Sequence, residues 1–426
     1  MSERNRKQRN RLGLFETEQW KITVGLQKIS GLYCFQRDRI NFICWLFIAL
    51  FSLSFTIVLG IRLVMEIGVH TEIVIENILG ELYMLIIFSK LGISVLKRKS
   101  FKSIYAKIAD HWSMMKDAKE LDIVSKNMER GHGVVKIYSL YCIVGMGCFI
   151  AMPITYPLLD YVIPMENKTR TMGEPAYVEY GIDPEKYYYP LMTQGFFGSL
   201  GCIAVFVAFD VSYMMLTNYV IGLFALAKHR LGKVNTLIKA MEQQNINVLK
   251  SNWPIPYIVQ AIKTHQRALA YANDLEANYN KAWFITLVCD TATIGGCFAI
   301  LKVKDTPEEI FRFFSLLFGA FIHFYFIFLP GQLMINASEE VFDACYAANW
   351  YKLSKKSKYL LKIIMIRSLR ASYLTGGKMF SLSMNTYCSV YAKDQLIVRR
   401  SLEEIVGILK NISFFKFHVT FAISSI

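Results

Sequence analysis

Four ionisable side chains stand inside long apolar runs of this 426-residue sequence: Lys90, Asp210, Asp290 and His323. Charge in hydrocarbon is costly, so residues of this kind are paired with one another or functional. We read Lys90, Asp210 and Asp290 as buried polar glue between helices rather than as ligand contacts. His323 stands beside Phe321, Phe324, Tyr325 and Phe326, and reads as a satisfied buried histidine. Glu72, Glu76 and Glu81, at spacings of four and five, lie roughly on one helix face. They suit either a cation-attracting outer vestibule or, the preferred reading, acidic residues favoured at a helix N-terminus. Gly145-Met146-Gly147 reads as close packing of small residues between helices rather than a nucleotide loop.

Enzyme chemistry has no foothold. The sequence carries no Gly-rich phosphate loop, HExxH, GxSxG elbow or paired-cysteine motif in a workable context, so no catalytic residue and no cofactor is expected. Its nine cysteines lack Cys/His ligand spacing, so no metal site is expected either. All nine fall in apolar runs or basic segments, which argues against disulfides.

The elements that position these residues are membrane spans. The chain is 54% hydrophobic and 19% charged, with mean hydropathy +0.32, against about 25% charge in ordinary soluble domains. A spanning helix needs about 20 mostly apolar residues. Six stretches meet this: 41–61, 73–96, 134–157, 192–216, 283–303 and 311–334. A seventh, 376–392, is shorter and richer in Ser and Thr, suited to enclosure by other helices or to facing water. The net charge of +15 would by itself fit nucleic acid or anionic lipid. Position decides for the membrane, because the basic residues form blocks between apolar runs, and no nucleic-acid partner is expected.

Lys and Arg number nine in residues 1–40, nine in 97–133, eight in 226–281 and seven in 335–375. The intervening loops hold Arg62 alone, then Lys168, Arg170 and Lys186, then Lys304. Basic loops stay on the cytoplasmic side. The expected fold class is therefore all-α: a multi-pass membrane protein of seven transmembrane helices with an intracellular N-terminus. Met1 is followed by Arg4, Arg6, Lys7, Arg9 and Arg11 with no apolar h-region, so no signal peptide is expected. The acidic loop 158–191 carries the sequon Asn167-Lys168-Thr169 on the outer side, making Asn167 the glycosylation candidate. A second sequon, Asn336-Ala337-Ser338, falls on the cytoplasmic side, where Asn336 and Glu339 suit a helix N-cap with capping box. The expected organisation is a cytoplasmic segment over 1–40, spans one to six with long cytoplasmic extensions over 41–334, anchor helices over 335–375, the seventh span over 376–392, and a tail over 393–426.

Aromatics crowd the sixth span, with Phe311, Phe313 and Phe314 preceding the group around His323. Lipid-facing packing explains them plainly; the sharper idea is the wall of an apolar pocket between bundle helices. The outer halves of spans two, three, four and six supply the candidates Tyr83, Met84, Phe149, Ile150, Phe196, Phe197, Leu200, Phe313 and Phe314.

The pattern resembles the insect odorant receptor family. Phe209-Asp210-Val211 through His229-Arg230-Leu231 looks like the family's fourth span running into the cytoplasm. Ile262 through Arg267, then Tyr271-Ala272-Asn273 and Leu275-Glu276, is similar to its long segment before span five. Pro330-Gly331-Gln332, Ser338-Glu339-Glu340-Val341, Ala344, Tyr346 and Trp350-Tyr351 resemble the most recognisable stretch. Leu374 through Phe380, then Ser381-Leu382-Ser383, resembles the approach to the seventh span. The likeness covers roughly 10–391 and is most specific in the C-terminal third.

This resemblance implies a tuning subunit of a ligand-gated, non-selective cation channel. Such a subunit assembles with a shared co-receptor as a hetero-oligomer, a tetramer, in the plasma membrane of olfactory sensory neuron dendrites, and binds a small volatile ligand in the outer leaflet. It further implies that the seventh helices line the pore, with Ser381, Ser383, Asn385, Thr386 and Ser389 supplying hydroxyls and an amide for a wet pathway. The cytoplasmic ends of spans four to six would form the intersubunit anchor. The lysines 352, 355, 356, 358 and 362 suit helices at a lipid surface. The chain departs from the family after Tyr391, where Ala392-Lys393-Asp394-Gln395 opens a charged stretch. A gene-model or splicing alternative would account for it.

The nearest alternative is the related gustatory receptor family, whose ending resembles Thr-Tyr, five apolar residues and Gln-Phe. Thr386-Tyr387 fits, but Ala392 and Lys393 stand where Gln-Phe should. A G-protein-coupled receptor requires an extracellular N-terminus, which the charge pattern opposes. A transporter more often shows internal repeats, and none is found.

Overall fold

The computed structural model describes residues 12–162, 186–303 and 307–390. Its helices are α1 (Glu18–Ile29), α2 (Asp38–Glu66), α3 (Thr71–Leu96), α4 (Arg98–Met114), α5 (Ala118–Val162), α6 (Tyr188–Gln243), α7 (Ile255–Leu301), α8 (Pro307–Tyr346) and α9 (Lys355–Ser368). A two-residue pair of strands follows, β1 (Thr375–Gly376) antiparallel to β2 (Phe380–Ser381), and then a helix α10 over 384–390. Among the described residues, five helices, α2, α3, α6, α7 and α8, are long and apolar enough to cross a membrane. The predicted third span, 134–157, lies within α5.

Several helices far exceed a bilayer. At 1.5 Å per residue, the 56 residues of α6 extend about 84 Å, against a hydrocarbon core of about 30 Å. The surplus of α5 to α8 forms a helical body at the end where the basic loops lie, joined there by α1, α4 and α9. Burial is graded accordingly. Only 17% of the most apolar window of α2 is buried, against 72% of that of α6, so α2 is peripheral and α6 is the central post. Phe209, Tyr213, Tyr279 and Trp283 meet at the α6–α7 contact with ring centroids 4.8–6.1 Å apart. Edge-to-face pairs at such spacings add to the burial of large rings.

Three sequence expectations are corrected. Asn336 does not start a helix: α8 runs unbroken from Pro307 to Tyr346, through Pro330 and Asn336, and the Asn336 side chain instead accepts from Gln332 at 2.7 Å. The helix continues because neighbouring helices and side chains re-satisfy backbone freed by proline. Accordingly the anchor region predicted from residue 335 begins as the extension of the sixth span, and the next capped start is Ser354, which accepts from Ser357 N–H at 3.4 Å ahead of α9. No described residue packs against Gly145 or Gly147: a Cβ at either would meet no described atom within 4 Å.

The predicted seventh span is only partly helical. The strand pair and its turn occupy 375–381, two further residues precede the helix, and helix begins at Met384. Gly377 and Lys378 both have positive φ, 67° and 59°, which lets the three residues 377–379 close the hairpin. The tail over 393–426 and the sequon at Asn167 lie outside the described residues.

Candidate functional site

The four ionisable residues of the apolar runs converge. Asp210 of α6 accepts from Lys90 of α3 at 2.7 and 2.9 Å and from the Tyr138 hydroxyl of α5 at 2.5 Å. His323 of α8 lies between two carboxylates, Nδ1 2.7 Å from Asp290 of α7 and Nε2 3.2 Å from Asp210. A doubly protonated ring satisfies both, and the cluster then carries two positive and two negative charges. Every member is buried, so the pairing offsets the desolvation that a lone charge would suffer. Polar glue and a satisfied histidine were the readings of the sequence. Tyr138 was missed, because a tyrosine in a span carries no signal of its own. One cluster thus joins five helices.

An aromatic ring forms its outward boundary. Phe206 of α6 lies 3.6 Å beneath the Lys90 ammonium and 4.5 Å from the His323 ring, a cation–π contact on one side and a ring contact on the other. Phe206 also packs against a small apolar group of Met84, Ile87 and Cys202 with Phe55, Tyr83 and Phe88. Tyr83 is 5.9 Å from Phe206 by ring centroids.

The seven pocket candidates with described side chains do not form one enclosed wall within this chain. Tyr83 and Met84 face the apolar group just described, and Phe313 is buried beside Arg312. Phe196, Phe197, Leu200 and Phe314 are each about half exposed on the outside of the bundle. The side chains of Phe149 and Ile150 lie outside the described ones.

Glu76 is neither a vestibule charge nor a simple N-terminal acid. It forms an ion pair with Arg312 of α8, with 9% and 16% of the two side chains exposed, and so ties the N-terminal ends of α3 and α8. An arginine at the head of an apolar run was the overlooked signal.

At the opposite end, Arg230 of α6 bridges α5 and α7, donating to Glu120 at 2.5 and 3.0 Å and to Thr264. The guanidinium and Lys233 together hold the Glu120 carboxyl below the usual carboxylate range. His111 Nδ1 and the Tyr219 hydroxyl are hydrogen-bonded at 2.7 Å, and burial together with Arg267 and Arg230 pushes the His111 pKa down to about 4. Burial, with Arg367 nearby, pushes His265 down to about 4 as well.

The segment leading to α10 is held from two sides. Glu276 of α7 accepts from Thr375 N–H at 2.7 Å, from its hydroxyl, and from Asn280 at 2.6 Å. From α8, the Gln332 side-chain oxygen accepts Met384 N–H at 2.9 Å. Gly331 sits so close to Leu382 that a Cβ there would lie 2.1 Å from its carbonyl oxygen. Tyr387 of α10 packs its ring 6.2 and 5.9 Å from Tyr325 and Phe328. Of the five predicted pore residues, Ser381 and Ser383 precede the helix and bond to the Thr386 hydroxyl at 3.0 Å each. Ser389 turns back to the Asn385 carbonyl at 2.8 Å.

With this geometry in view, the comparisons with known proteins are consistent. The structure matches the insect olfactory receptor OR5 from Machilis hrabei in complex with eugenol at TM-score 0.72 and 10% identity, covering 90% of this chain and 97% of that one. That likeness is one of fold. Odorant receptor 67b of Drosophila melanogaster is 21% identical over 259 residues, 57% of this chain and 59% of that protein. Odorant receptor 9a of the same fly is 22% identical, covering 50% of each chain. The odorant receptor coreceptor of Aedes aegypti is 20% identical over 30% of this chain and 27% of its own length. The chain thus spans between about a quarter and three fifths of the curated relatives named here. A family model described as 7tm Odorant receptor matches residues 74–392, three quarters of the sequence and every element from α3 to the start of the seventh helix, and the chain belongs to that family.

Proposed function

We propose that this protein is an odorant receptor subunit: a ligand-gated, non-selective cation channel that binds small hydrophobic volatiles and works beside a shared co-receptor. The observation that carries the reading is the family match running through residue 392, because it takes in the packed spans and the approach to the seventh helix together. Family and fold alone do not assign chemistry; that rests on particular residues.

The basic blocks support a cytoplasmic N-terminus, and the odorant receptor reading supports the plasma membrane of the olfactory neuron dendrite as the location. Tyr83 and Met84, with Phe313 and the outward-facing Phe196, Phe197, Leu200 and Phe314, line the ligand site in the assembled receptor, together with Phe149 and Ile150. A ligand that binds the open arrangement more tightly than the closed one supplies the gating free energy. Ser381, Ser383, Asn385, Thr386 and Ser389 stand along the ion pathway contributed to a hetero-oligomeric, tetrameric channel. Asn167 is the glycosylation site of the outer loop.

The test is recording from cells expressing the chain with and without an odorant co-receptor, against a volatile panel that includes eugenol. Ligand-evoked cation current that requires both subunits is the expected result. Absence of any evoked current, or an N-terminal tag accessible on intact cells, refutes the reading.

A further inference from the structure

We propose that Gln332 is a positioning residue of the seventh helix, whose side-chain oxygen, delivered from α8, fixes the helix start so that it moves as one body with the sixth span. The inference rests on the reading of α10 as the beginning of the pore helix.

The first N–H groups of any helix lack partners within it. Ser383 serves the ordinary cap, its hydroxyl accepting Thr386 N–H at 3.3 Å. That leaves the N–H groups of Met384 and Asn385, and Gln332 takes the first at 2.9 Å. The carboxamide has one workable orientation. A backbone N–H only donates, so oxygen must face Met384, and the amide nitrogen then donates to Asn336 Oδ1 at 2.7 Å. Both ends of the side chain are thereby used.

Two neighbouring contacts act in the same sense. Gly331 seats the α8 backbone against Leu382, where no Cβ would fit. One turn earlier on α8, Phe328 meets the Tyr387 ring. Glu276 of α7, by contrast, holds the hairpin at Thr375 and not the helix itself. Displacement of α8, which also carries His323 and Arg312, therefore reaches the start of the seventh helix directly, through Gln332 together with the Gly331–Leu382 and Phe328–Tyr387 contacts.

The test uses the full chain expressed with the co-receptor and no ligand. Gln332→Leu removes the acceptor; Gln332→Glu keeps it. Hydrogen exchange of peptides covering 383–390 should quicken about five-fold or more in the leucine variant and stay within about two-fold of the parent in the glutamate variant. Exchange unchanged in Gln332→Leu, or equally fast in both variants, overturns the proposal. A second arm pairs Gln332→Cys with Met384→Cys in a Cys388→Ser background. Oxidative tethering should leave ligand-free current intact, since the tethered parts move together; current abolished by the tether and restored by a reductant overturns the one-body claim. If the parent chain adds no current to the co-receptor, the channel reading fails, while the exchange arm still decides the cap.

Discussion

Replacing Lys90 by methionine tests whether the five-helix cluster is ordinary membrane polar packing or a buried ionic network. Asp210 accepts four contacts, two from Lys90, one from Tyr138 and one from His323. Removing the ammonium leaves Asp210 and Asp290 sharing a single histidine and shifts the cluster by one negative charge. Side-chain hydrogen bonds between membrane helices average only about 0.6 kcal/mol in double-mutant cycles, whereas breaking a buried ion pair costs about 3–5 kcal/mol. The burial of both partners, with 0% and 1% of their side chains exposed, puts this pair in the second class. The assay is a cycle of Lys90→Met, Asp210→Leu and the double variant, followed by unfolding in detergent or bicelles. Each single variant should lose about 3 kcal/mol or more, and the double should recover enough to give a coupling of about 2 kcal/mol. A coupling at or below about 0.6 kcal/mol refutes the ionic reading.

The histidines at the basic end set a pH dependence. His111 is held near 4 in the fold against about 6.5 in the unfolded chain, so below about 6.5 the unfolded state takes up a proton that the folded state refuses. Stability falls as pH drops from about 6.5 to about 4 and levels below; His265 adds to the same slope. His111→Gln should flatten the slope in pH-dependent limited proteolysis, and an unchanged slope rejects the assignment. Gly331→Ala forces a Cβ against Leu382, so we expect loss of surface delivery measured by biotinylation; full delivery with normal current contradicts the close approach. Tyr83→Ala should shift ligand half-saturation more than maximal current. Phe197→Ala should shift it less, because its ring is half exposed on a single subunit; equal or absent shifts count against Tyr83 as a pocket residue.

Much was legible without coordinates, for identifiable reasons. Apolar runs of about 20 residues marked the spans because the bilayer imposes a length, and of the six stretches from 41–61 to 311–334 five fall wholly within a helix, while 283–303 runs two residues past the end of α7 at Leu301. Lys90, Asp210, Asp290 and His323 stood out because each breaks an apolar run. Tyr138, Phe206, Gln332 and Glu276 did not, because tyrosine, phenylalanine and surface-type polar residues violate no local rule where they stand. The capping box at Asn336 failed because local cap chemistry was overridden by a helix that packs along its whole length. The hairpin before Met384 was missed because a two-residue strand pair has no periodicity to read.

Hydropathy and charge along the chain alone determined the number and rough extent of the spans, the expected orientation, and which residues were too polar to face lipid, because those properties depend on each residue's transfer from water. Which polar residues meet is a different question, answered only by folding: Lys90, Asp210 and His323 are 120 and 113 residues apart in sequence and touch because α3, α6 and α8 pack together. The same holds for Gln332 and Met384, 52 residues apart. Partnership across such distances depends on helix rotation and depth, and these are set by the sum of packing contacts rather than by any local pattern.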